Sequence, residues 1–314
     1  MPTLFYARQP SCNINEWQIQ PAPGQQQLSY FLMELKLKQG RIGSGITGTV
    51  MERLSLKGRT ALVTGGSRGI GKAIAIGLAE AGADVAVLSR QTKAEGEKLA
   101  EQLKAIGRTN SFAMLADVTN RKALDAAVDE GVKRWGKVDI MVANAGIGGD
   151  VNAEDMTEEQ WDRLMDVNLK GVFFAAQAAA RHMIPRKAGN IVVTSSLSSI
   201  VANGNPQACY NTSKAGVNML VRCLAYEWAR YHIRVNAISP GFIMTDILGP
   251  YLEQFPDEAY GYMIKPAAMN RIGTPDELAG AAVFLASDAS SYMTGQNIVL
   301  DGGYSLTPLE NQLL

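Results

Sequence analysis

From Leu54 onward, short runs of β-branched and small apolar residues alternate with longer amphipathic stretches, and no other feature of this 314-residue chain restricts its fold as strongly. The candidate strands are Thr60–Thr64, Asp84–Leu88, Ser111–Leu115, Ile140–Ala143, Ile191–Thr194, Arg234–Ile238 and Ile298–Leu300. Helical periodicity fills the intervals, as in Gly71–Ala81, Lys93–Ile106, Arg121–Trp135 and Ala215–Arg230. Strands alternating with helices predict a parallel, doubly wound α/β sheet of seven strands. Runs such as Ala61-Leu-Val63 and Ile191-Val-Val193 are apolar at every position. Strands covered by helices on both faces need that pattern.

Residues 1–53 differ. They hold Pro21, Pro23, the run Gln25-Gln26-Gln27 and four glycines between Gly40 and Gly48, with Glu16 and Glu34 the two acids before Glu52. Apart from a short helix or strand over Tyr30–Lys38, the segment reads as an irregular extension to a catalytic domain spanning 54–314. Three explanations stay open: an arm that covers substrate or joins subunits, a targeting segment carrying Arg8, Lys36, Lys38 and Arg41, or a start placed too early, with Met51 as the internal alternative.

Lys plus Arg equals Asp plus Glu at 30 each, so bulk charge offers no pull toward nucleic acid or an anionic membrane. Apolar runs are too short to span a bilayer. Cys12, Cys209 and Cys223 have no disulfide or metal spacing, which fits a reducing, cytoplasmic setting. With two histidines, His182 and His232, a histidine-based metal centre is not expected, and no metal ligands are assigned.

The first strand runs into Thr64-Gly-Gly-Ser-Arg-Gly-Ile-Gly71. Glycines at 65, 69 and 71 allow a tight turn and a close approach of backbone to a pyrophosphate at the following helix N-terminus. Gly65, Ser67, Arg68, Gly69, Ile70 and Gly71 are therefore candidate cofactor contacts. The second strand ends in Leu88-Ser89-Arg90, where a carboxylate would select an unphosphorylated ribose. Ser89, Arg90, Arg68 and nearby Lys93 instead suit a 2′-phosphate, so NADP(H) is favoured over NAD(H). Further along, Tyr210 and Lys214 stand one helical turn apart on one face. An ammonium beside a phenol favours the phenolate, so this pair is expected to lower the tyrosine pKa and permit proton exchange with an alcohol or carbonyl.

These motifs, with Asp117-Val118, Asn144-Ala-Gly146, Asn168, serines after the fifth strand, Pro240-Gly241, Thr245 and Asp301-Gly-Gly303, resemble those of the short-chain dehydrogenase/reductase family in order and spacing from about Leu54 to Tyr304. The resemblance implies a Rossmann-type domain and hydride transfer between a nicotinamide and a carbonyl carbon. It implies that Tyr210 exchanges the proton, that Lys214 tunes it and holds the nicotinamide ribose, and that Asn168 anchors a water relay. It also places Asp117 and Val118 at the adenine, Asn144, Ala145 and Gly146 under the adenosine ribose, and Pro240, Gly241, Ile243 and Thr245 over the nicotinamide. Ala143 stands where the family has a first Asn, a loss expected to cost local hydrogen bonding. The catalytic serine is ambiguous. The usual spacing lands on Leu197, and one inserted residue moves the role to Ser196, with Ser198 as the alternative.

Residues 246–270, rich in tyrosine and polar groups, are expected to form a substrate lid. The texture is similar to the family's polyol and sugar-ketone branch, with gluconate 5-dehydrogenases, sorbose reductases and mannitol dehydrogenases. The alternatives are a 3-oxoacyl-(acyl-carrier-protein) reductase and, from another class, a non-catalytic dinucleotide-binding scaffold. The partner is a small carbonyl or alcohol, and the family implies a homotetramer.

Overall fold

Strands β1 (Thr60–Thr64), β2 (Asp84–Ser89), β3 (Phe112–Leu115), β4 (Ile140–Ala143), β5 (Gly189–Thr194), β6 (Ile233–Pro240) and β7 (Asn297–Leu300) form one sheet. Its order is β3-β2-β1-β4-β5-β6-β7 and every pairing is parallel. The computed structural model describes residues 47–90, 93–108, 110–202, 206–246 and 248–306, without the Lys93 side chain. The expectations for residues 1–46, including Tyr30–Lys38, and for the C-terminal tail lie outside the described residues.

Alternate residues of each strand feed different cores. Leu62, Met141 and Ile191 pack under the helices Arg121–Trp135, Gly171–Arg186 and Ala208–Trp228. Their neighbours Ala61, Val63, Ile140 and Val192 pack under Gly69–Glu80, Lys93–Ala105 and Asp276–Ala286. Both faces are therefore dry, which is why β1 is apolar throughout.

Strands agree with the expected positions to within one or two residues at each end. The main shift is in the helix that carries Tyr210. It begins at Ala208, well before Ala215, so Tyr210 and Lys214 occupy its first two turns. Cys209-Tyr-Asn-Thr-Ser has weak helix propensity. Packing overrides it: Cys209 and Ser213 are buried, and a methyl on Gly216 would lie 3.2 Å from Leu169. A π-helical turn at Asp166–Lys170 also follows the helix Glu158–Met165 and turns Asn168 fully inward.

At the amino end of the sheet, buried Asp139 accepts from the Thr60 amide at 3.1 Å and from Lys137 at 2.8 Å, and pairs with Arg186. Burial works against its charge, but Lys137 and Arg186 outweigh burial and hold its pKa below the usual carboxylate range.

At the carboxyl end, Gly65 and Gly69 adopt φ of 61° and 53°, the left-handed region where a side chain is strained. Gly71 is restricted by space instead. A Cβ there would lie 2.3 Å from the Gly65 carbonyl oxygen and 2.5 Å from Asn144 Nδ2. Gly71→Ala is expected to destabilise the fold by about 3 kcal/mol, the upper range for overpacking. Denaturant unfolding reads this as a lower midpoint at unchanged slope.

Candidate active site

Chain order reverses between β1 and β4, and in open α/β sheets the ligand crevice lies at that reversal, beyond the strands' carboxyl ends. A cleft of about 480 Å³ opens there. Its base is a hydrogen-bonded knot. Asn144 Nδ2 donates to the carbonyls of Thr64 (3.1 Å) and Gly65 (3.2 Å), and its Oδ1 accepts from Thr194 Oγ1 (3.1 Å). Thr64 Oγ1 accepts from the amides of Asn144 and Ala145 at 3.0 and 3.1 Å. One carboxamide thus joins the ends of β1, β4 and β5. Ala143, which stands where the family has its first Asn, is buried in the core.

At one end of the cleft the glycine turn leads into the Gly69–Glu80 helix, whose N-cap residue Arg68 is extended and gives no side-chain cap. The first-turn amides and the helix dipole are left to face the cleft, the arrangement that suits a pyrophosphate. A Cβ on Gly69 would sit 3.6 Å from Thr245 Cγ2, so Thr245 stands over the turn. Ser89, Arg90, Asp117 and Val118 line the same end. Asp117 is fixed by bonds from the Thr119 amide (2.9 Å) and hydroxyl (2.8 Å). These residues fit a dinucleotide: a glycine cradle without room for side chains, an uncapped helix end and two guanidiniums.

The other end holds Ser196, Tyr210 and Lys214. Lys214 Nζ lies 5.8 Å from the Tyr210 ring centroid and donates to the Thr194 carbonyl at 3.1 Å. The lysine is 3% exposed, and burial lowers its pKa to about 8. The tyrosine departs from the expected direction. Burial pushes its phenol up, a hydrogen bond from Ser196 pulls the other way, and the Asp150 carboxylate adds to the rise. Desolvation disfavours the charged form of both partners.

The four serines part ways. Ser195 Oγ donates to the Lys214 carbonyl at 3.3 Å. Ser196 faces Tyr210, and its Oγ accepts from the Ser198 amide at 3.1 Å. Ser198 is buried away from the cleft lining, and Ser199 bonds the Ser196 carbonyl.

Asn168 and Ile243 lie behind the cleft wall. Asn168 clamps the Ile147 backbone, accepting from its amide and donating to its carbonyl at 2.9 Å each, and donates to Ser213 Oγ at 3.2 Å. Ser213 in turn donates to the Tyr210 carbonyl at 2.7 Å. Ile243 turns into the core. The cleft lining also includes Glu95, Ile147, Gly148, Thr194 and Asp246, which sequence reasoning did not single out. Thr194, Ile147, Gly148 and Asp246 directly adjoin segments singled out in the sequence and could have been found by that adjacency; Glu95 reaches the cleft only through folding. Among the described residues, no three potential metal ligands cluster and no helix is long and apolar enough to cross a membrane.

Residues 65–305 match the protein family described as enoyl-(acyl carrier protein) reductase. The chain is 42% identical to sorbose reductase of Schizosaccharomyces pombe over 254 residues, 80% of this chain and 97% of that protein. It is also 42% identical to a Staphylococcus aureus 3-oxoacyl-(acyl-carrier-protein) reductase over 247 residues, 78% of this chain and 97% of that one. A crystal structure of a gluconate 5-dehydrogenase from Burkholderia cenocepacia, in complex with NADP and tartrate, superposes with a TM-score of 0.77 at 38% identity, covering 83% of this chain and all of that one.

Lys214 carries a stability consequence. Its folded pKa of about 8 lies below the unfolded value of 10.5, so the unfolded chain binds the extra proton between those values and stability rises with pH there. Below about pH 8 the full penalty, about 3 kcal/mol at 1.36 kcal/mol per unit, is present. Lys214→Met is expected to be more stable than the parent at pH 7 and to lose that advantage by pH 10.5. Unfolding midpoints measured across this range check both halves.

Proposed function

The chain belongs to the short-chain dehydrogenase/reductase family, and on that premise we propose that it interconverts a secondary alcohol and a ketone on a sugar, polyol or small ketone with NADP(H). Membership makes it an oxidoreductase of alcohols and ketones that uses a nicotinamide dinucleotide. The observation that carries the finer reading is the convergence of Ser196, Tyr210 and Lys214 at one end of the cleft whose other end bears the glycine turn.

The dinucleotide supplies or takes up hydride at the substrate carbon. In reduction, Tyr210 gives its proton to the carbonyl oxygen, and its raised pKa makes it a proton-loaded acid at neutral pH. Ser196, whose hydroxyl meets the phenol, stabilises charge building on that oxygen. Lys214 holds the phenolate electrostatically and restores its proton. Asn168 Oδ1 keeps a lone pair beyond its bond to Ile147. A methyl on Gly146 would lie 3.4 Å from that oxygen and 3.5 Å from Lys214 Nζ, which supports a water relay between them. Gly65 to Gly71, Thr245, Pro240 and Gly241 hold the cofactor, with Asp117, Val118 and the Asn144–Gly146 segment at its adenosine half. Ser89, Arg90 and Arg68 receive a 2′-phosphate, a reading supported by the NADP bound to the gluconate 5-dehydrogenase relative.

Residues 246–270, which contain the short helices Gly249–Gln254 and Pro256–Ala259, form the lid in this reading, and residues 1–53 an appended arm. Exposed Met219 and Tyr226, seven residues apart on one helix face, and the open edge at Val299 suit a homotetramer. Free Cys209 and Cys223 suit a reducing cytoplasm.

Tyr210→Phe should keep cofactor affinity and lose about 10³-fold in kcat, with Ser196→Ala losing about 10²-fold, the ranges for a proton donor and an oxyanion donor. Full turnover in Ser196→Ala would move the role to Ser198. Arg90→Ala should weaken NADPH about tenfold or more and leave NADH within twofold, by fluorescence titration; equal losses would remove the 2′-phosphate assignment.

A further inference from the structure

Tyr210, Lys214 and Asn218 follow one another at intervals of four along the Ala208–Trp228 helix, so each stands about one turn beyond the last. The first two belong to the functional reading above; Asn218 does not line the cleft. Its side chain is engaged elsewhere. Nδ2 donates to Ser199 Oγ at 2.6 Å, and Ser199 Oγ donates to the Ser196 carbonyl. A hydroxyl has one proton to give. With that proton on the Ser196 carbonyl, Ser199 Oγ accepts from Asn218 and from buried Ser239, whose Oγ lies 3.4 Å away. The bonds therefore run in one direction, from the helix to the backbone of Ser196.

The Ser196 end shows what these bonds control. The same carbonyl also accepts from the Ser199 amide at 3.0 Å, closing the short helical turn Leu197–Ser199. Two donors on one carbonyl fix the plane of the peptide that follows Ser196. Within the turn, buried Leu197 packs with Ala267 and Tyr304. Held by both, the turn directs the Ser198 amide at Ser196 Oγ, 3.1 Å away. A hydroxyl oxygen that accepts there keeps its own proton for the phenol or the substrate oxygen.

Asn218 occupies its position at a disadvantage to the fold. Its Oδ1 is buried and has no hydrogen-bond partner among the described residues. A buried acceptor left unpaired is destabilising, and a leucine of similar shape would bring none. Only the donor half of the amide is used, in the bond to Ser199. Stability given up for an ordered site is a common trade at functional positions. We infer that Asn218 is a positioning residue for the reaction: through Ser199 it sets the aim of the Ser196 hydroxyl, from the same helix that places Tyr210 and Lys214. The inference rests on the role given to Ser196 above and extends it to two side chains outside the cleft.

The test is a double-mutant cycle on kcat at saturating NADPH, with whichever of D-fructose, L-sorbose and ethyl acetoacetate is reduced fastest. Rates are taken per NADPH-binding site, so unfolded protein does not enter. Asn218→Leu is expected to lower kcat about tenfold, the scale of a small misplacement of a reacting group, and to leave NADPH affinity within about twofold of the parent's. In a Ser196→Ala background the same substitution is expected to change kcat by less than about twofold, because the hydroxyl it aims is gone. Ser199→Ala breaks the same link from its other end and is expected to behave alike, so the cycle can be run with it if Asn218→Leu does not fold. A loss that persists undiminished in the Ser196→Ala background, or parental kcat in either single variant, would overturn the inference and leave Ser196 in its role. Full turnover in Ser196→Ala, or reduction of none of these ketones, would remove the functional reading and the inference with it.

Discussion

The carboxamide of Asn144 joins three strands at the point where the sheet changes direction, and the site is organised around that knot. It fixes the Thr64–Gly65 backbone, so the glycine turn enters its helix at a set angle. It fixes Thr194, whose carbonyl receives the buried Lys214 ammonium. Gly71 has no space for a side chain because the Gly65 carbonyl and the Asn144 carboxamide occupy it. The glycine turn at one end of the cleft and the Tyr210–Lys214 pair at the other therefore share one hydrogen-bonded base. A fully satisfied buried polar network of this kind is rigid, and a partly satisfied one is costly.

Burial sets the electrostatics around Tyr210 and Lys214. Lys214 keeps its charge at neutral pH with one carbonyl bond and an aromatic face for company, at a cost in stability. Tyr210 is pushed toward its neutral form. Such strain is common where a site must be preorganised for a charge that develops only during reaction.

Much of the fold was legible because it is local. Seven strands lie where apolar runs of β-branched residues predict them, since a strand buried on both faces has no other way to be written. The glycine turn was legible because left-handed φ and close approach exclude other residues there. The exact start of the Tyr210–Lys214 helix, at Ala208, was not, since Cys209 and Thr212 argue weakly for helix and the burial of Cys209 and Ser213 extends it. Asn168 was legible only through the family resemblance. Its clamp on Ile147 was not, because the π-helical turn that aims it is a tertiary accommodation.

The sequence by itself determined the parallel sheet, the glycine turn after the first strand and the presence of a tyrosine–lysine pair on one helical face, all consequences of spacing within a few residues or of uniform apolar runs. Tertiary structure decided which serine meets the phenol and in which direction the phenol titrates. Those outcomes depend on desolvation and on charges distant along the chain, and spacing along a single element carries no record of either.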